Sequence, residues 1–152
     1  MTWLHTRTSL QDYLTDALLV PIPFVSPGVH PPPGTLVHTG FLAAYVPSCY
    51  IDFSYLPDSQ FSRWNSVVDE VLTSVRAELD AHPNYKLVAS GHSLGGALAS
   101  LAAITLKQNF PSAPLKLYSY GQPRVGNINY ADFVNDQVGV DNIFRSMFFI
   151  SL

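Results

Sequence analysis

Residues 85–107 read as a strand, a tight glycine turn and a helix in immediate succession, and this run constrains the fold more than any other. Tyr85-Lys86-Leu87-Val88-Ala89-Ser90 has the length and apolar character of a short buried strand. Gly91-His92-Ser93-Leu94-Gly95-Gly96 follows, and from Leu94 to Lys107 the chain is rich in Ala and Leu, as a helix would be. A strand that enters a helix through so short a turn belongs in an α/β architecture, where helices cross over between parallel strands. The turn also has the form G-x-S-x-G. A serine hydroxyl is a weak nucleophile unless a base takes its proton and its Oγ is held out toward a substrate. Glycines beside it permit the sharp, strained backbone that achieves the second condition. The pattern therefore points to acyl transfer through Ser93, and it requires a histidine and an acid elsewhere in the protein. A glycine-rich turn whose serine only caps the helix is the competing reading.

Composition narrows the class. The chain has 152 residues, one domain's worth, and 47% of them are hydrophobic against 12% charged, half the usual charged share. So apolar a chain folds around a core, and a net charge of −3 supplies no basic patch for nucleic acid. No apolar run reaches the roughly 18 residues a spanning helix needs. No basic segment followed by an apolar one marks a signal peptide at the N-terminus. Cys49 is the single cysteine and has no partner for an internal disulfide. His30 and His38 lie among prolines without a metal-ligand spacing, so neither a metal nor another cofactor is expected.

Other elements follow from periodicity. Ser9 to Leu19 is a short helical candidate, and Pro21 to Gly34, with six prolines, reads as an extended surface crossing without a ladder. Val37 to Tyr45 is patterned again, but 46–63 is aromatic and proline-containing with no period of 2 or 3.6. Trp64, Val67, Val68, Val71, Leu72, Val75 and Leu79 make one apolar helix face, with Asp69, Glu70, Arg76 and Glu78 opposite. His82-Pro83-Asn84 stops that helix. Beyond the glycine turn, Leu115 to Tyr120 is a second strand, Gly121 to Asn127 a loop, Tyr130 to Val138 a helix, and Ile143 to Leu152 an apolar strand-like end.

Three segments in this order carry a family resemblance: Val37-His38-Thr39-Gly40-Phe41, then Gly91-His92-Ser93-Leu94-Gly95-Gly96-Ala97-Leu98-Ala99, then Tyr120-Gly121-Gln122-Pro123-Arg124-Val125-Gly126-Asn127. They resemble the fungal class 3 lipases, an α/β-hydrolase group that includes feruloyl esterases. Ser9-Leu10-Gln11-Asp12-Tyr13-Leu14-Thr15-Asp16 is similar to the family's short helix at the lid. The resemblance implies a mainly parallel sheet flanked by helices, a partial α/β-hydrolase fold in a single domain over 1–152 that lacks N- and C-terminal parts of the family domain. It implies Ser93 as nucleophile and the Leu94 backbone N–H as one oxyanion donor, which elbow geometry also supports. His92 reads as a neighbour packed under the elbow rather than the base, Arg124 as a structural hydrogen-bond hub, and His38 as a buried core histidine. The implied activity is hydrolysis of carboxylic esters of the triacylglycerol type, in lipid breakdown, with a lipid or other ester as partner, contact with a lipid interface, and secretion.

The chain also departs from the family pattern. The family's acid follows the strand matching Ile143-Phe144-Arg145, and at that distance stand Ser151 or Leu152; no histidine follows His92. The triad Asp and His are therefore expected to be missing from these residues, and rebuilding them from His5, His30, His38 or His82 with Asp132, Asp136 or Asp141 would be coincidence. Arg7 stands where the family's second oxyanion residue is a hydroxyl, leaving that donor unassigned, with Thr6 and Thr8 the nearest hydroxyls. Removing 46–63 joins Tyr45 to Trp64 in a family-like run, so 46–63 reads as an insertion. The expectation is an impaired hydrolase; a feruloyl or other carboxylesterase, and a non-catalytic relative that binds lipid or a partner, are the alternatives.

Overall fold

The computed structural model describes residues 20–46 and 67–146. The lid-like segment 9–19, Trp64 and nearly all of 46–63 lie outside the described residues. Strand β1 (Pro21–Pro23) and strand β2 (Leu36–His38) come first, followed by helix α1 (Thr39–Tyr45). Helix α2 (Val67–Ala81), strand β3 (Leu87–His92), helix α3 (Leu94–Asn109) and strand β4 (Leu115–Tyr120) follow. Helix α4 (Ile128–Val138), a 3-10 turn at Val140–Asn142 and strand β5 (Ile143–Ser146) complete the order.

Strands β3, β4 and β5 form a parallel sheet in that order, with Leu87 opposite Leu115, His92 opposite Tyr120, and Ser119 opposite Arg145. Parallel strands in this order, joined by crossovers of the usual right hand, place α3 and α4 on the same face. The two helices bond to each other there through Ser100 with Tyr130 and Gln108 with Gln137. That face holds Ala89, Leu115, Leu117 and Ser119, all buried. Among the described residues the opposite face is open. Val88 is 63% exposed, and Phe144 stacks on its register partner Tyr118 at 4.7 Å between ring centroids.

Helix α3 is buried nearly all round, because Ala97, Leu101, Ala103, Ile104 and Leu106 face the sheet and its flanking helices in turn. A helix apolar on every side is stable only as a core element, and its alanines let neighbours approach closely. Helix α2 is amphipathic as expected: Val68 is buried, Val71, Leu72, Val75 and Leu79 are half-buried, and Asp69, Glu70 and Glu78 are exposed. Arg76, on the polar face, still lays its guanidinium over Phe110, 5.2 Å from the ring centroid.

The proline-rich crossing departs from expectation. Pro21–Pro23 pairs antiparallel with Leu36–His38, and Phe24, Ser26 and Val29 are buried. The register explains how prolines enter a ladder. Thr39 N–H donates to the Val20 carbonyl and Phe24 N–H to Thr35, so the hydrogen-bonding positions are 20, 22 and 24. Pro21 and Pro23 occupy the alternate positions, where the missing N–H would have pointed away. Phe24 then meets Tyr130 edge-on at 5.7 Å, which ties this segment to α4.

Candidate active site

The β3–α3 turn is held from two sides. Ser93 N–H donates to the Tyr120 carbonyl at 2.9 Å, which anchors the turn to the end of β4. The Ser93 carbonyl accepts from Gly96 N–H at 2.9 Å and from Ala97 N–H at 3.3 Å, which starts α3. Ser93 itself has φ 54° and ψ −123°, and among the described residues no other non-glycine has positive φ. A residue with a Cβ is strained there, by about 1–3 kcal/mol, and such strain persists only where surrounding structure enforces it. Here the strand ladder and the helix start both do so.

The glycines do not contribute equally. A Cβ on Gly91 would overlap the carbonyl of Gly95, so the strand and the first turn of α3 touch backbone to backbone. Gly96 is tight as well, with the Gln122 Cβ and the Gly91 carbonyl each 3.2 Å from a built Cβ. Gly95, the second glycine of G-x-S-x-G, would meet nothing within 4 Å. Its backbone, not its own lack of a side chain, is what the turn uses.

Ser93 sits half-buried at the carboxyl end of β3, and the Leu94 and Gly95 amides open α3 with no carbonyl one turn back to bind. The helix N-terminus concentrates positive partial charge at the same spot. Such an end suits an anion that develops during a reaction. Among the described residues no side chain hydrogen-bonds Ser93 Oγ.

His92 lies elsewhere than expected. It is exposed rather than packed under the elbow, because alternation along β3 turns it to the open sheet face, away from α3. Its ring borders Gly121, where a built Cβ would be 3.5 Å from His92 Nε2. His82 stacks on Tyr85 at 4.4 Å, ahead of β3 and a strand length of about 20 Å from Ser93. His38 is half-buried rather than buried, with its ring edge-on to Phe41 at 6.2 Å. Asp141 precedes β5 at the opposite end of the sheet from Ser93, and Asp132 and Asp136 are exposed on α4. His5, Thr6, Arg7 and Thr8 lie outside the described residues. Among the described residues no three metal-ligating side chains cluster, and no helix is long and apolar enough to cross a membrane.

The three sequence segments meet in space. Val37 bridges Gly126, His38 N–H donates to Val125 at 2.8 Å, and Asn127 N–H donates to Leu36 at 3.0 Å. The side chain of Asn127 caps α4 by accepting from Tyr130 N–H at 3.0 Å, accepts from Leu36 N–H at 3.1 Å, and donates to Gly34 at 2.7 Å. Asn127 is the hub expected of Arg124. Among the described residues Arg124 makes one bond, from Nε to the Gly126 carbonyl at 2.9 Å, which clamps its own loop. The asparagine three positions before Tyr130 was a legible capping signal. Beneath the loop, Tyr130 shares a 2.8 Å hydroxyl bond with Ser100; burial pushes its phenol pKa up, with that bond opposing.

Comparison with known proteins agrees with this geometry. The family model described as Lipase (class 3) matches residues 1–148. The secreted mono- and diacylglycerol lipase 1 of Fusarium solani is 39% identical over 108 residues, which is 71% of this chain and 26% of that protein. A lipase of Rhizomucor miehei is 33% identical over 130 residues, 84% of this chain and 29% of its own length. A crystal structure of a triacylglycerol lipase from Penicillium expansum superposes with TM-score 0.67 and 31% identity, covering 86% of this chain and 43% of that one. The chain thus spans less than a third of those two curated relatives and less than half of that solved structure. The parallel sheet and its strand-turn-helix elbow are a partial α/β-hydrolase fold, and the chain belongs to the class 3 lipase family.

Proposed function

We propose that these residues are the nucleophile-bearing part of a carboxylic ester hydrolase of the triacylglycerol lipase type. Ser93 Oγ gives its proton to a base and attacks the ester carbonyl while the Leu94 N–H donates to the oxyanion. The ester C–O bond then breaks, the alcohol leaves with that proton, and water hydrolyses the acyl-enzyme to release the acid and the free serine. The observation that carries this reading is the strained φ of 54° at a half-buried serine whose successor opens a helix. A capping serine needs no such strain, since a cap residue has ordinary extended backbone. The relatives' names weigh toward acylglycerols over feruloyl esters, and those named as secreted support an extracellular setting.

Among the described residues no side chain hydrogen-bonds Ser93 Oγ, and we infer that the 152 residues by themselves are impaired for want of an activating base. Loss of a triad member leaves only the roughly 10³–10⁴-fold acceleration that binding and the oxyanion hole supply. A fluorophosphonate probe distinguishes these elements. It is expected to mark Ser93 slowly or not at all in the 152-residue chain, and readily once the C-terminal segment of the Rhizomucor relative is joined to it. Labelling of the joined protein that survives Ser93→Ala overturns the nucleophile assignment. Equal labelling of the chain by itself overturns its impairment.

A further inference from the structure

A cavity of about 310 Å³ lies between the covered face of the sheet, helix α4 and the loop 122–127, and Ser93 is not among its walls. Its floor is apolar, from Leu117, Val125, Val134 and Ile143. Its mouth is cationic. Arg124 and Arg145 both line it, and among the described residues neither meets a carboxylate. Each spends one N–H on a loop carbonyl, Arg124 on Gly126 and Arg145 on Gln122 at 3.0 Å. A guanidinium has five N–H donors, so both keep most of theirs while the loop fixes their orientation.

A third donor stands beside them. Ser119 is opposite Arg145 in the β4–β5 register, on the same sheet face, and lines the cavity. It is 1% exposed, and its Oγ has no hydrogen-bond partner. Among the described residues only the buried hydroxyls of Ser119 and Tyr45 are left unpaired, and of the two Ser119 is the one that lines this cavity, where a ligand would satisfy it. Two exposed, oriented guanidiniums at the mouth and a buried hydroxyl in the wall of an apolar cavity match one chemistry, a carboxylate at the head of a short aliphatic chain.

We propose that this cavity binds a short-chain monocarboxylate, its carboxylate held by Arg145, Arg124 and the Ser119 hydroxyl and its tail on the Leu117–Ile143 floor. Such a molecule is the acid that an ester hydrolase releases, so the site would hold product; that identification rests on the proposed function, whereas the cavity stands on its own geometry. The test is a binding measurement on the 152-residue chain, by ligand-observed NMR and thermal shift, with hexanoate, hexan-1-ol and inorganic phosphate. Hexanoate is expected to bind at least about 10-fold more tightly than either of the others, since removing a charge-assisted bond costs about 10-fold or more. Arg145→Gln is expected to weaken hexanoate about 10-fold and leave hexan-1-ol unchanged. Ser119→Ala, which removes only the unpaired hydroxyl, is expected to weaken it about 3-fold without lowering the melting temperature. Hexanol binding as tightly as hexanoate, phosphate binding as tightly as hexanoate, or indifference to Arg145→Gln each overturns the proposal. None of these readouts uses Ser93, so a failure here is distinguishable from a failure of its labelling.

Discussion

Gly91→Ala is expected to destabilise the protein by about 3 kcal/mol and lower its melting temperature by about 6–12 °C, while Gly95→Ala leaves both nearly unchanged. Both glycines belong to the same motif, yet the structure separates them. The added methyl on Gly91 would run into the Gly95 carbonyl, which is backbone in the first turn of a helix and cannot swing aside. Overpacking usually costs about 1–3 kcal/mol, and the upper end applies where the obstacle is main chain. Moving it would also disturb the Ser93 N–H to Tyr120 bond and the start of α3. The methyl on Gly95 points into open space, and alanine is the better helix former. Thermal melts of the two variants decide the matter. Equal losses for both would mean that the strand and helix do not touch at Gly91.

How much of this was legible in sequence depended on how local each signal was. Strand β4 coincides with its expected span because Leu115 to Tyr120 alternates cleanly between prolines and a glycine loop. Strand β3 was expected to stop at Ser90 but continues through Gly91 and His92, which pair with Ser119 and Tyr120. Glycine counts against a strand by propensity, yet here the partner strand decides. The β1 ladder was illegible for a related reason: prolines are excluded or tolerated according to which way the missing N–H points, and that needs the register.

Long-range features were harder still. Asn127 and Leu36 are 91 positions apart, and no periodicity signals their bond. The exposure of His92 depends on what covers the second sheet face, which its neighbours in sequence do not specify. Ser119 read as an unremarkable strand residue. Only its burial beside Arg145, with its hydroxyl unpaired, separates it from the other serines.

Ser93→Gly is expected to be more stable than Ser93→Ala by about 1–2 kcal/mol, although both abolish fluorophosphonate labelling of the joined protein. Alanine keeps the Cβ that makes φ 54° and ψ −123° costly, and it removes only the hydroxyl. Glycine removes the Cβ as well and relieves the strain, against which stands its larger loss of freedom on folding, about 0.5–1 kcal/mol. Strain relief is the larger of the two, because the strand bond to Tyr120 and the helix bonds from Gly96 and Ala97 hold position 93 in place whatever side chain it bears. The comparison isolates the cost of presenting a side chain at this turn from the chemistry of its hydroxyl. A serine kept at a strained position that glycine would occupy more comfortably is stability given up for a projecting Oγ. Denaturant unfolding of the two variants checks it, and a glycine variant no more stable than the alanine one would mean that the turn stores no strain.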